Sequence, residues 1–394
     1  MRKFMVVSGF LGSGKTTAMM ALTDYLNRSG TKAYMISNDL GRKGLADYRY
    51  SSACGCAADE LTGECICYQT ENLVERLRRL YTDGGCEMIM SDIPGFGVGA
   101  LEHVYHKLAA EYPDECTLAP FTVVTEGAVL RKLMTAASLV PQNAGPGSNA
   151  AAARPEKAAS DPEDRLAEGG AEALSDDMIY ILRTQLEEAD LIVLNKTDLY
   201  SNEEQEGYLS YLREAFPETP VLCVSAADGT GIPELAAYIA SHEACMKHPD
   251  IGYGGDEFSA AMGRMSEYNC QYYAEVCCET FDANDYLNDL AEEIGARLRE
   301  KGCEIPHLKL FAQSGDGDIC KADLLGAGRE TVLTRKLKSR CTDLPVVINA
   351  SAAAPSAVLA SAIDKAILDV SGKYQLSVII FYKECFGLTD QGRI

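Results

Sequence analysis

Gly9-Phe10-Leu11-Gly12-Ser13-Gly14-Lys15-Thr16-Thr17 has the composition and spacing to hold a polyphosphate. Glycine, four further residues and then Gly-Lys-Thr let the backbone turn tightly enough for successive N–H groups to converge on phosphate oxygens. Gly12, Ser13 and Gly14 supply amides, Lys15 reaches the β- and γ-phosphates, and the Thr16 hydroxyl is a ligand for Mg²⁺. A helix opening at Thr16 and Thr17 turns its positive end toward the same anion.

Three further stretches each follow an apolar run. Asn38-Asp39-Leu40-Gly41 closes the run 31–37, and Asp92-Ile93-Pro94-Gly95 closes 86–91. Asp-x-x-Gly after a strand is a γ-phosphate sensor: Asp92 reaches Mg²⁺ through water and the Gly95 N–H meets the γ-phosphate. Asp39 is expected beside them, on Mg²⁺ or on the attacking water, so that Lys15, Asp39 and Asp92 form the catalytic set and Thr16, Asp39 and Asp92 the Mg²⁺ set. Asn195-Lys196-Thr197-Asp198 closes the third run, 191–194. The Asp198 carboxylate can accept guanine N1–H and N2–H₂, Asn195 serves the other edge, and the Lys196 stem covers the base. Ser225 and Ala226 offer backbone N–H groups to guanine O6. A carboxylate that adenine would leave unpaired discriminates by roughly 10⁴-fold, which selects GTP over ATP.

A different chemistry is suggested by Cys54-Gly55-Cys56 and Cys65-Ile66-Cys67, two Cys-x-Cys pairs eight residues apart. Brought together by one loop, Cys54, Cys56, Cys65 and Cys67 would make a tetrahedral sulfur site for Zn²⁺, Cu(I) or an iron–sulfur cluster.

The elements that must position these groups follow from apolar periodicity. Buried strands are expected at 4–8, 31–37, 86–91, 118–124, 191–194 and 221–224. Helices are expected at 17–26, 71–81, 99–111, 178–188 and from 231. Strands alternating with helices give an α/β fold, a P-loop NTPase with a mostly parallel sheet, over residues 1–243. Residues 40–68 have no helical or strand period and read as one long functional loop. Residues 141–177, rich in alanine, proline, glycine and acidic side chains, read as a flexible insertion. From 252 to 394 the pattern changes: strands near 267–278, 305–313, 319–325, 332–338, 344–349 and 375–386 surround helices at 283–301 and 354–368. Such an order predicts a smaller α+β domain of the split βαβ, ferredoxin-like kind.

Thirty-six basic and 58 acidic side chains leave a formal charge of −22 in 394 residues, which repels nucleic acid and anionic membranes alike. With no long apolar segment, a cytoplasmic location is expected, where the fifteen cysteines are mostly reduced thiols. The five histidines are scattered, which argues against bulk metal storage.

These motifs resemble those of the CobW-like GTPases, the group that includes UreG, HypB and MeaB. Residues 9–17 resemble that family's Gly-Phe-Leu-Gly-x-Gly-Lys-Thr-Thr loop, 38–41 its Asn-Glu-Phe-Gly, 92–95 its Glu-Thr-Thr-Gly, and 185–198 the segment ending in its guanine box. The resemblance implies GTP hydrolysis to GDP and phosphate, coupled to delivery of a metal such as Zn²⁺ or Co²⁺, or to assembly of a client metalloenzyme or corrinoid protein. It departs at the metal motif: Tyr68 stands where the family's Cys-x-Cys-Cys has its last thiol, and Cys54 and Cys56 are the candidates to replace it. Without a convincing arginine finger, although Arg42 lies near the phosphate side in sequence, intrinsic turnover is expected to be slow until a partner or a homodimer forms. The alternatives are a client chaperone for a corrinoid enzyme with no metal site of its own and a P-loop small-molecule kinase, against which Asn195 and Asp198 speak.

Overall fold

The computed structural model describes residues 2–43, 45–138, 174–249, 251–276, 279–324 and 330–389; most of the 141–177 insertion lies outside them. In chain order the first part runs β1 (Lys3–Ser8), α1 (Lys15–Arg28), β2 (Ala33–Asp39), α2 (Ala46–Ala53), β3 (Ala58–Thr62), α3 (Thr70–Thr82) and β4 (Met88–Asp92). A π-helical turn, Leu101–His106, leads into α4 (Lys107–Glu111), β5 (Thr117–Leu118), β6 (Thr122–Glu126) and α5 (Gly127–Ser138). Then come α6 (Asp176–Glu188), β7 (Leu191–Asn195), α7 (Asn202–Ala215), β8 (Val221–Cys223), α8 (Ile232–Ser241) and α9 (Asp256–Arg264).

The strands pair in the order β3-β2-β4-β1-β6-β7-β8, every pair parallel, with β5 against β1. Strands of such a sheet are covered on both faces, so they read as unbroken apolar runs. In β1, Phe4 and Val6 enter the core on one face while Met5 and Val7 enter the core on the other. The ends of β1, β2, β4 and β7 therefore deliver the phosphate loop, Asp39, Asp92 and Asn195 to one edge.

Residues 40–68 correct the expectation of a single loop. Within them α2 and β3 form, and β3 extends the sheet by pairing with β2 from Met35↔Ala58 to Asp39↔Thr62. Helix α9, which the periodicity did not suggest, packs Phe258, Ala261 and Met262 into the same core as Met178 and Ile181 of α6.

The second sheet is antiparallel, in the order β12-β11-β10-β13-β9-β14. Its strands are β9 (Met265–Glu275), β10 (Glu304–Gln313), β11 (Ile319–Leu324), β12 (Val332–Arg335), β13 (Asp343–Ala353) and β14 (Ser377–Gly387). Helices α10 (Ala283–Glu300) and α11 (Ser356–Lys373) cover one face with a separate apolar core. Alternation along the strands sends Tyr268, Leu308 and Ile348 into that core and leaves Glu267, Asn269, His307, Lys309 and Asn349 on the opposite face, where all are buried except the half-buried Lys309.

That opposite face is covered by α2. The Ala46 N–H donates to Asn349 Oδ1 at 2.7 Å, Gln271 Nε2 donates to the Lys43 carbonyl at 3.0 Å, and Ala46 and Tyr50 pack on Phe311, Ile319 and Val347. Gly41 lets the two segments approach, since a Cβ there would lie 2.8 Å from Asn269 Nδ2.

Candidate nucleotide site and metal-binding groups

Gly14 has a φ of 93° and immediately precedes α1. A side chain at Gly14 would meet Asn195 Nδ2 at 2.4 Å, so the left-handed conformation and the close approach both require glycine. Asn195 Nδ2 donates to the Ser13 carbonyl at 2.9 Å, while Asn195 Oδ1 accepts the Ala226 N–H at 3.1 Å. One side chain thus fastens the phosphate loop to the segment carrying Ser225 and Ala226. The Ser225 hydroxyl donates to Asp198 Oδ1 at 2.7 Å, and Lys196, with a φ of 60°, lays its stem near Gly14. The Asp198 carboxylate and the Lys196 stem suit a guanine base, whereas the expected amides are already engaged: the Ser225 N–H donates to the Thr230 carbonyl at 2.8 Å and the Ala226 N–H to Asn195.

On the phosphate side, Gly12 and Gly14 shape the loop with positive φ, and Thr16 and Thr17 occupy the first turn of α1. Lys15 Nζ donates to the Gly9 carbonyl at 2.6 Å. Gly95 faces this loop closely, since a Cβ on it would lie 2.4 Å from Leu11 Cδ2. Asp39 Oδ1 accepts the Leu40 N–H at 2.8 Å, and Asp92 Oδ1 accepts the Asn38 N–H at 2.6 Å. Lys15, Asp39, Asp92 and Gly95 line one wall of a pocket whose other wall comes from the second sheet: Glu267, His307, Lys309, Asn349 and Ser351.

Between these walls stands Asp47 of α2. Its Oδ2 accepts the Thr16 hydroxyl at 2.9 Å and also the Lys309 ammonium. Burial opposes ionisation of Asp47, but the ammonium groups of Lys309 and Lys321 outweigh it and hold its carboxyl at about 2. Burial pushes the Asp92 carboxyl up to about 7 and raises that of Asp39. Burial, reinforced by the Lys309 cation, lowers the Lys15 ammonium to about 8. A pocket holding several carboxylates and two ammonium groups suits a polyphosphate accompanied by a divalent cation.

The four-cysteine site does not assemble. Cys56 precedes β3 and Cys65 follows it, so the five residues of that strand, roughly 16 Å when extended, separate the two pairs. Cys56 packs against the core on one face of the sheet, beneath α1, whereas Cys65 and Cys67 belong to the core on the other face. Cys54 is exposed, and burial pushes the Cys56 thiol up to about 11. Cys65 and Cys67 remain a true pair, buried, with their sulfurs 3.0 Å apart. The loop that carries them is held by Asn38, whose Oδ1 accepts the Ile66 N–H at 3.0 Å and whose Nδ2 donates to the carbonyls of Leu61 and Glu64, each at 2.9 Å.

Among the described residues the one group of three or more metal-type side chains whose ligand atoms converge is Glu102, His106 and His248. His106 Nδ1 and His248 Nδ1 lie 3.9 and 3.7 Å from Glu102 Oε2. The other nitrogen of His106, Nε2, is 2.9 Å from the Lys247 carbonyl. Donation to that carbonyl leaves Nδ1 with a free lone pair, the usual way a backbone carbonyl orients a metal-binding imidazole. Glu102 and His106 lie on the π-helical turn after the Asp92 loop; Gly99 N and Leu101 N at its start donate to the Glu188 carboxylate at 2.8 and 3.3 Å.

Sequence reasoning missed Asp47, Lys309 and this histidine pair. Asp47 and Lys309 belong to no local motif, and His106 and His248 are far apart in the chain. Arg42, which lies near the phosphate side in sequence, is exposed, and its backbone N–H donates to Glu384 Oε1 at 2.8 Å.

Sheet order, the glycine loop between β1 and α1 and the strand-end groups define a P-loop NTPase. A model of the nucleotide-binding domain of CobW/HypB/UreG proteins matches residues 3–222, more than half of the chain, and the chain belongs to that family. Among solved structures, HypB from Helicobacter pylori in complex with nickel is similar at 14% identity, 60% of this chain, 85% of that one and a TM-score of 0.36. Zn(II)-bound YjiA GTPase from E. coli is similar at 13% identity, 92% of this chain, 98% of that one and a TM-score of 0.34. A GTPase in apo form from Pyrococcus abyssi is similar at 16% identity, 61% of this chain, 97% of that one and a TM-score of 0.33. At TM-scores this low the structures add nothing to the assignment, which rests on the family match. Among the described residues, no helix is long and apolar enough to cross a membrane.

Proposed function

We propose that this chain is a GTP-hydrolysing switch that handles a transition metal on behalf of a client metalloenzyme or corrinoid protein. The observation that carries the nucleotide half is Asn195, which bonds the phosphate loop through Ser13 and the base-side loop through Ala226. In this reading Lys15 and the amides of Gly12, Ser13 and Gly14 bind phosphate, and Thr17 completes the first helical turn. Thr16 and Asp92 hold Mg²⁺, directly or through water, and Asp39 orients the water that attacks the γ-phosphate. Asp198 takes the two guanine donors and Lys196 covers the base, and the Ala226 N–H meets O6 by exchanging its bond to Asn195, with the Ser225 N–H held by Thr230. A magnesium ion held by Thr16 and Asp92 would supply neutralisation of the charge that develops on the phosphates.

The metal half rests on family membership and on two groups: the thiol pair Cys65 and Cys67, and the Glu102, His106 and His248 set, which Lys247 ties to Ala189 and Thr219 at the opposite end of the strands from the phosphate loop. Two thiols need one or two further ligands to complete a tetrahedral site, whereas two imidazoles and a carboxylate match a three-ligand Zn²⁺ or Co²⁺ site with an open position. We read the region 252–394 as a domain of its own with a ferredoxin-like core: taken as strands one to four, β9, β10, β13 and β14 lie in the order 2-3-1-4, with a helix after the first and third.

The nucleotide assignment is tested by titrating fluorescent GTP, ATP and XTP analogues into the wild type and Asp198→Asn. The wild type should prefer GTP over ATP by roughly 10⁴-fold, and the variant should lose GTP and gain XTP, because an amide can donate to the xanthine 2-oxygen. Equal affinity for ATP and GTP in the wild type would exclude the guanine site.

A further inference from the structure

A second cation at the phosphate pocket, besides Lys15, is supplied by the other sheet. We infer that Lys309 is a catalytic residue in cis: its ammonium, carried on β10, contacts the γ-phosphate of the nucleotide bound at the phosphate loop and stabilises charge that develops there during hydrolysis. The inference rests on the nucleotide reading above and adds to it a group outside the family's nucleotide-binding match, which ends at residue 222.

Three observations carry it. Lys309 and Thr16 bond the same oxygen, Asp47 Oδ2, so the ammonium lies within two hydrogen-bond lengths, at most roughly 6 Å, of the hydroxyl that marks the Mg²⁺ position. Lys309 also lines one pocket with Lys15, Asp39, Asp92 and Gly95, the groups that surround a γ-phosphate in P-loop proteins. Finally, the position is built rather than incidental. In the β-ladder Lys309 stands opposite Asp323 on one side and Asn349 on the other. Asn349 holds the start of α2 through Ala46, and Asp323 is occupied by Lys321 at 3.1 Å and by His307 at 3.6 Å. Lys309 is therefore left to Asp47 and the pocket.

Lys15 and Lys309 face one pocket from opposite walls, with the Asp47 carboxylate holding Lys309 in place. A γ-phosphate between Lys15 and Lys309 would be held from both sides, one lysine contributed by each sheet. Removing a single preorganised cation of this kind costs rate more than ground-state affinity.

The test compares the full-length wild type with Lys309→Met, Lys309→Arg and the double variant Asp47→Asn/Lys309→Met, in which no buried carboxylate is left without its partner. Single-turnover GTP hydrolysis with Mg²⁺ and the affinities for fluorescent GDP and a non-hydrolysable GTP analogue are measured for each. We expect Lys309→Met and the double variant to lose about 10²- to 10³-fold in rate while GDP affinity stays within about threefold, and Lys309→Arg to recover at least about tenfold of the loss. Hydrolysis at the wild-type rate in either methionine variant would reduce Lys309 to a structural ion pair and overturn the inference. A wild type that binds no guanine nucleotide would overturn the nucleotide reading as well, and the two failures are told apart by the binding arm.

Discussion

The backbone N–H of Asn38 donates to Asp92 Oδ1 at 2.6 Å, so the residue that holds the thiol loop also holds the proposed γ-phosphate sensor. Its side chain makes three bonds to the segment 61–66, and Ile66, between Cys65 and Cys67, is the last of them. A shift of Asp92 on nucleotide exchange would be felt at the thiols through one residue.

Asn38→Ala should therefore both loosen the loop and uncouple it. With the buried Leu61 carbonyl and Ile66 N–H losing this partner, the loss of stability is expected to be about 2 to 4 kcal/mol by urea denaturation. Hydrogen exchange at the Ile66 amide should rise in step, and any difference in thiol reactivity between GTP- and GDP-loaded protein should disappear. A variant as stable as the wild type would mean that the loop is held by other contacts.

Metal binding separates into two expectations. Replacing Cys65 or Cys67 by serine should remove thiolate-to-metal absorption in a Co²⁺ titration, whereas Cys54→Ser and Cys56→Ser should leave it unchanged. His106→Ala or His248→Ala should lower the stoichiometry by about one ion without touching the thiolate bands, since that set contains no sulfur. Equal dependence on all four cysteines would show that the chain rearranges to bring them together. If no ion binds in any nucleotide state, the client chaperone without a metal of its own becomes the better account.

His307 gives a pH dependence with a definite sign. Burial, then the Lys309 cation, holds its imidazole at about 4, below the ordinary 6.5, against the opposing pull of Asp323 and Asp47. The folded state thus binds fewer protons than the unfolded state between those values, and stability due to this group is intact above 6.5 and lost as pH falls toward 4. The loss is on the order of 3 kcal/mol. Denaturation profiles of the wild type and His307→Gln should converge over this interval as pH is lowered, and parallel profiles would show that His307 titrates normally.

The nucleotide side was legible because its determinants are local. A glycine that must adopt positive φ, a lysine and a threonine are consecutive residues, and each strand-end group follows its own apolar run. Helix α2 was not legible. Its buried residues are Ala46, Asp47, Tyr50 and Ser51, a mixed set with no apolar stripe, because the surface it meets is polar. Strand β3 carries Asp59 and Glu60 in an edge position, which suppresses the alternation expected of a strand. Lys309 sits in Leu308-Lys309-Leu310, where alternation predicts one face in a core and the other in solvent. The pattern identified the faces correctly, but it cannot say that a second layer covers the polar one.

That polar layer has a mechanical consequence. Contacts between the second sheet and α2 are made largely by amides, carboxylates and ammonium groups, with only the small patch around Tyr50 and Phe311 between them. Parting such surfaces exchanges protein hydrogen bonds for bonds to water, a nearly balanced trade, whereas parting an apolar seam of the same extent would expose oily surface at about 25 cal/mol per Å². The seam at α2 is thus of the kind that can open and re-form without inviting aggregation, while the far end of the sheet stays anchored through Met265, Phe386 and Leu388, which are buried in the same core as α6 and α9.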